Sequence, residues 1–174
     1  MTRLKQDLGV TCPTQMCGFT LIEVIVALAM LILIVMNTLP VAATWNETMS
    51  ITDTKGKLKQ ALTLARTASQ FNVAGRALHE ASAVVCIEES NIVVRLAAVD
   101  RLAQCSDQNE IRWQAVLRPG VELKVTEGDE LTAFDCMCYR PSGLTSIDGA
   151  CAACSQTSFI TIVKGASSDL YKAS

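Results

Sequence analysis

The chain has 174 residues, 50% of them hydrophobic and 18% charged, with a formal net charge of −2. That length allows one domain with a buried core, and so apolar a composition excludes a disordered chain. The mildly negative balance argues against a protein built to coat nucleic acid, and a single histidine, His79, makes a His-based triad or a multi-His metal site hard to assemble.

Residues 19–36 form an apolar run with one charge, Glu23. As a helix this run spans roughly 27 Å, close to the thickness of a bilayer core. Arg3 and Lys5 precede it with one acid, Asp7, so the positive-inside rule predicts residues 1–18 in the cytoplasm and everything after the run outside. Two ordinary expectations compete: a plain transmembrane anchor, and a secretory signal peptide with Val41-Ala42-Ala43 as a small-residue cleavage site. Neither gives Glu23 a purpose, although a carboxylate in hydrocarbon costs a few kcal/mol and normally has a partner. Pro40 has no amide proton and clashes with the preceding turn, so the helix is expected to loosen near residues 36–39.

Residues 46–71 read as the helix continuing beyond the apolar run. Leu58, Ala61, Leu62, Ala65 and Ala68 recur at three- and four-residue spacing and make one apolar stripe. Lys55, Lys57, Lys59 and Arg66 lie mostly off it and are expected on a solvated face. Beyond residue 72 the period changes. Residues 83–88 and 91–97 are Val- and Ile-rich runs split by Glu89-Ser90, which predicts an antiparallel hairpin. Further strands are predicted over 111–116, 121–125, 131–135 and 159–163. Turn signals lie at Arg118-Pro119-Gly120, Glu127-Gly128-Asp129 and Pro141-Ser142-Gly143. A long helix followed by antiparallel strands is an α+β arrangement.

Two stretches carry a resemblance. Gly18-Phe19-Thr20-Leu21-Ile22-Glu23-Val24 resembles the N-terminal signature of type IV prepilins and type II secretion pseudopilins. Gly18 matches the residue before the prepilin peptidase cut, Phe19 the N-methylated mature N-terminus, and Glu23 the glutamate at the fifth mature position. Pro40 matches the proline at the twenty-second mature position of many pilins. The second stretch, residues 58–66, is similar to the leucine–alanine–arginine helix of the GspH/FimT group of minor pilins. Val84-Val85-Cys86, Trp113, residues 134–143 and residues 159–163 follow in that group's order.

The resemblance implies a type IV pilin-like fold, with a long N-terminal hydrophobic helix packed on an antiparallel β-sheet domain. It divides the chain into a leader (1–18), a transmembrane and filament-core helix (19–43), an amphipathic continuation (44–72) and a β domain with a cysteine-rich loop (73–174). It implies a single-pass inner-membrane protein with a periplasmic C-terminal domain, incorporated into a filament at the cell surface. The implied partners are other minor pilins, a major pilin or pseudopilins, the prepilin peptidase and the inner-membrane assembly platform. The implied function is a minor type IV pilin that helps prime and assemble a filament at or near its tip. The alternatives are a GspH-like minor pseudopilin of type II secretion and a FimT-like DNA-binding pilin for transformation. The last is disfavoured: the group's glycine–arginine–any–arginine loop is missing, and Lys164-Gly165-Ala166-Ser167 is the nearest match.

Of eight cysteines, Cys12 and Cys17 would leave with the leader. Cys86, Cys105, Cys136, Cys138, Cys151 and Cys154 remain, an even number that implies disulfides in an exported domain. Cys86 and Cys105 flank the second hairpin strand and are placed to staple it. Cys136-Met137-Cys138 and Cys151-Ala152-Ala153-Cys154 bracket a loop and have the ligand spacing of a zinc site in the abstract. Two disulfides are the favoured reading over zinc, and a redox-active CxxC is a third, so no metal, cofactor or catalytic residue is assigned. His79 is expected to be an ordinary surface or core residue. The acid clusters at Asp148-Gly149 and Glu127-Gly128-Asp129 are expected to be turns rather than calcium sites.

Overall fold

A computed structural model of the chain describes residues 20–106, 110–127, 130–157 and 159–173. The elements are a helix, α1 (Leu21–Phe71), and nine strands: β1 (Ala83–Glu88), β2 (Asn91–Leu96), β3 (Ile111–Val116), β4 (Glu122–Glu127), β5 (Glu130–Ala133), β6 (Cys136–Tyr139), β7 (Thr145–Ser146), β8 (Phe159–Lys164) and β9 (Ser167–Lys172). A single 3-10 turn covers Gly149–Cys151. The chain divides into two compact units, Met1–Val41 and Ala42–Ser174.

Within the second unit, α1 contributes the stripe that its spacing predicts. Ile51, Leu58, Ala61, Leu62 and Ala65 are buried, and Ala68 is half-buried at the stripe's edge. The helix ends because Asn72 takes a left-handed conformation (φ 44°). The Asn72 side chain then holds the departing chain: its Oδ1 accepts the Arg76 N–H at 2.7 Å and its Nδ2 donates to the Arg76 carbonyl at 2.8 Å. Lys55 and Lys57 are not freely solvated as expected. Lys55 pairs with Asp169 of β9 at 2.6 Å, and Lys57 pairs with Asp53 at 2.8 Å while donating to the Val116 carbonyl. Their long stems reach sideways across the edge of the stripe to strands that the sequence had not placed there. Lys59 and Arg66 are exposed as expected.

The strands form two antiparallel sheets. Sheet 1 has the order β3-β2-β1-β6-β7, and sheet 2 the order β5-β4-β8-β9. The β1–β2 hairpin closes on the pair Glu88 and Asn91, so Glu89-Ser90 is its two-residue turn. Glu89 there adopts φ 55°, a region that favours Gly or Asn. One main core joins α1 to both sheets: Ala83, Val85, Ile92 and Val94 from sheet 1, and Leu123, Val125, Ile160 and Ile162 from sheet 2, around Phe134 and Met137. The alternate residues of sheet 1, Val84, Cys86, Cys136 and Cys138, point the other way into a second cluster with Ala81, Ala103, Cys151 and Cys154. The central strands β1 and β6 are therefore buried on both faces, which is why β1 shows no alternation of polar and apolar residues.

Two expectations are corrected. The sheet domain is not one sheet under a hydrophobic helix but two antiparallel sheets in a mixed α+β fold. Nor does the type IV pilin-like picture of a membrane-crossing helix stand: no helix among the described residues is long and apolar enough to cross a membrane. The exposed apolar stretch with described side chains, residues 21–36, spans roughly 24 Å against a hydrocarbon core of about 30 Å. From Ala43 onward α1 is rich in Thr, Ser, Asn and Lys, and the hydroxyls of Thr48, Ser50, Thr52 and Thr67 turn back onto carbonyls four residues earlier. A single-pass anchor is accordingly unsupported. Gly18 and Phe19 lie outside the described residues. Position 40 belongs to the helical backbone of α1, while the side chains of residues 37–42, Pro40 included, lie outside the description.

Three measurements check this packing. Leu58 is fully buried, so Leu58→Ala should lower unfolding free energy by about 2–5 kcal/mol in denaturant titration with an unchanged slope. Glu89→Asn should raise stability by up to about 1 kcal/mol, because Asn accepts the left-handed turn more readily. Asp53 has its pKa lowered, chiefly by the hydrogen bond from Lys57 and also by Arg118, against a smaller opposing effect of burial. A lowered folded-state pKa stabilises above the ordinary carboxylate value, and that contribution is lost as pH falls through the folded value. Asp53→Asn should therefore flatten the acid limb of stability below about pH 4.

Candidate functional site

Two regions carry chemistry: the head of α1 and the sulfur cluster behind sheet 1. At the head of α1, Thr20 caps the helix. The Glu23 N–H donates to Thr20 Oγ1 at 3.3 Å and to the Thr20 carbonyl at 3.0 Å. Thr20-Leu21-Ile22-Glu23 thus has the spacing of a capping box, a signal readable in the sequence. The Glu23 carboxylate is exposed and sits in the first turn, where the helix dipole favours negative charge. It shares one face with Val24, Ala27, Leu28 and Leu31. Every large apolar side chain from Leu21 to Met36 is between 45% and 80% exposed.

Six cysteines form three disulfides: Cys86–Cys105, Cys136–Cys154 and Cys138–Cys151, with Cα separations of 5.8, 4.7 and 6.1 Å. The first is the staple expected from sequence. It ties β1 to the loop after β2 and draws that loop over the second face of sheet 1, where the Ala103 N–H donates to the Ala81 carbonyl. The other two join the Cys-Met-Cys of β6 to Cys151 at the end of the 3-10 turn and to Cys154 just after it. There the Ser155 N–H donates to the Cys136 carbonyl at 2.9 Å. Cys138 and Cys151 are fully buried. The disulfide reading of the CxC and CxxC pair holds: the sulfurs of Cys136, Cys138, Cys151 and Cys154 are all in S–S bonds. Beside these bonds Arg95, 2% exposed, makes a bidentate pair with Glu88 at 2.8 Å on both arms.

The remaining sequence candidates are dispersed. His79 is exposed in the connection between α1 and β1. Lys164 and Gly165 sit at the β8–β9 turn, where Lys164 Nζ donates to Ser50 Oγ at 2.7 Å and Ser167 Oγ donates to Glu47. Gly165 has φ 58°, and a Cβ there would collide with the Glu47 carboxylate. That turn is a clamp on α1 and its lysine is engaged. Asp148 precedes the 3-10 turn, and Gly128 and Asp129 lie outside the described residues. One groove had no sequence signal: Arg66, Gln70, Tyr139, Tyr171 and Ala173 line a concave surface between α1 and the two sheets. Burial pushes the Tyr139 hydroxyl up to about 12, with the charge of Arg66 acting in the opposite sense.

No family model, no curated protein and no solved structure matches this chain.

The disulfide assignment has a direct check. Thiol titration of the denatured, unreduced chain should find no thiol beyond Cys12 and Cys17. The double variant Cys86→Ala, Cys105→Ala should lose about 3 kcal/mol of stability, the loop-closure value for a link of this span.

Proposed function

We propose that the chain is a minor subunit of a type IV pilus that helps prime and assemble the filament at or near its tip. The observation that carries this is the run Gly18 to Val24 at the head of a helix whose following turns are apolar on every side. An exposed apolar surface this long exceeds what a lone monomer normally presents and is characteristic of an interaction surface. Equivalent helices of neighbouring subunits would cover it in a filament.

The chemistry of assembly then rests on few groups. Prepilin peptidase would cut after Gly18 and leave a cationic amine on Phe19, later methylated. The Glu23 carboxylate, on the edge of the Val24, Ala27, Leu28 and Leu31 face, would neutralise the amine of the next subunit. A buried lone charge is expensive and a matched pair is tolerated, so the pairing selects one axial register. The three disulfides support an oxidising compartment for the β unit, which in this function is the periplasm. Partners would be other minor pilins, the major pilin and the inner-membrane assembly platform. No reaction is assigned to the subunit after its own processing.

Deleting the chain should collapse the amount of pilin sheared from cells relative to the parent strain. Unchanged yield would sink the priming role and move attention to exoprotein secretion by a pseudopilus. Glu23→Ala should leave cleavage intact yet reduce recovery of the subunit in sheared filaments, and normal recovery would remove Glu23 from assembly. Gly18→Glu should leave the chain at its unprocessed mass, and a mature mass would refute the cleavage position.

A further inference from the structure

The sulfur cluster behind sheet 1 has a second chemistry available to it. Cys138 Sγ and Cys154 Sγ belong to different disulfides, yet they lie 3.7 Å apart. The Sγ atoms of Cys138, Cys151 and Cys154 are all within 4.8 Å of one another. Cys136 is bonded to Cys154 and lies on the same face of β6 as Cys138. In a tetrahedral thiolate site with Zn–S bonds of about 2.3 Å, neighbouring sulfurs stand about 3.8 Å apart. One edge of such a tetrahedron is thus already at length.

We propose that Cys136, Cys138, Cys151 and Cys154, once both of their disulfides are reduced, form a site for one zinc ion. Each disulfide takes two electrons from the reductant and becomes two thiols: a dithiol also supplies the two protons and leaves as a cyclic disulfide, whereas a phosphine takes the oxygen of one water, which supplies the protons, and leaves as the phosphine oxide. The four thiols then release four protons as they bind one Zn²⁺ as thiolates. The two bonded pairs must part from bonding distance to the tetrahedral edge, and Cys136 Sγ, which lies outside the trio of sulfurs within 4.8 Å of one another, must also turn in toward it. The Cα separations of 4.7 and 6.1 Å leave that adjustment to side-chain rotation. The surroundings suit the ion: Ala81, Val84 and Ala103 close the cluster with apolar groups, which keeps water from competing for the metal. Cys86–Cys105 lies outside the close trio and takes no part.

The consequence is a β unit whose second face is clamped in either redox state, by two covalent bonds when oxidised and by one metal ion when reduced, as in a chain before its cysteines are oxidised. The test uses the full chain in a Cys12→Ser, Cys17→Ser background, reduced anaerobically with a phosphine and titrated with Co²⁺ and then Zn²⁺. The expected result is one Co²⁺ per chain with the intense absorption of a tetrahedral tetrathiolate, displaced by one Zn²⁺, and no uptake by the oxidised chain. Cys138→Ser with Cys151→Ser should weaken binding by more than about 10-fold and abolish that spectrum. Cys86→Ser with Cys105→Ser should keep both. Stoichiometry and ligand count can be read whether or not the reduced chain stays folded before metal is added. Absence of one-to-one uptake by the reduced chain would overturn the site, as would an unchanged spectrum in the Cys138, Cys151 variant.

Discussion

The fold of residues 42–173 depends on one constraint: the central strands β1 and β6 of sheet 1 are buried on two faces, and α1 covers one of them. Ala83 and Val85 of β1 face α1, while Val84 and Cys86 face away from it, and all four are buried. A strand buried on both sides needs a second layer. The chain has no second long helix to supply one among its described residues. It uses the loop after β2 and the segment around the 3-10 turn, whose contribution to that cluster is limited to small groups such as Ala103 and the cysteines themselves. Covering of this kind buries too little apolar area to hold irregular backbone in place, since each ordered residue costs about 1–2 kcal/mol of conformational entropy. The three disulfides offset this by restricting the unfolded chain, at about 2–4 kcal/mol each. Here the cross-links replace a packing layer.

The helix shows the complementary arrangement. Over residues 51–65 its stripe is covered by both sheets, and its flanks are fastened by Glu47 to Ser167, Ser50 to Lys164 and Lys55 to Asp169. Those polar links run along one side of α1 to the β8–β9 hairpin. Half-exposed pairs such as Lys55–Asp169 contribute little stability, but they fix which side of the helix meets that hairpin. Over residues 21–36 the large apolar side chains are exposed among the described residues, and Glu23 stands on the same face as Val24, Ala27, Leu28 and Leu31. The hydrophobic effect acts on both halves, within the chain for one and between chains, in the proposed filament, for the other.

Much of this was legible locally. The stripe through Leu58, Ala61, Leu62 and Ala65 followed from helical spacing. The β1–β2 hairpin and β3 followed from short Val- and Ile-rich runs and their breaks. The first staple, Cys86 to Cys105, followed from the cysteines' positions around one strand. Other elements were not legible. Strand β6 is Cys-Met-Cys-Tyr, four residues whose local pattern reads as a cysteine motif, and only the resemblance implied a strand within residues 134–143. Strand β9 is mostly polar because it is an edge strand with one face in solvent, where its residues alternate between half-buried and exposed. The Thr20 cap was legible but stood within a run that drew attention for its processing chemistry. The groove around Arg66 and Tyr139 joins residues far apart in the chain, and no local pattern marks it.

By itself the sequence determined the helix and several of the strands, the apolar stripe, the apolar run with its one carboxylate, and a supply of cysteines for cross-linking. Periodicity and residue chemistry are local properties, and a chain carries them wherever it folds. Only the tertiary structure decided that the strands divide into two sheets, that β6 inserts beside β1, and that Cys136 joins Cys154 while Cys138 joins Cys151. Strand order and disulfide partners depend on which distant segments share a face. That choice is made by burying both sides of β1 and β6 at once, a condition no single stretch of sequence can express.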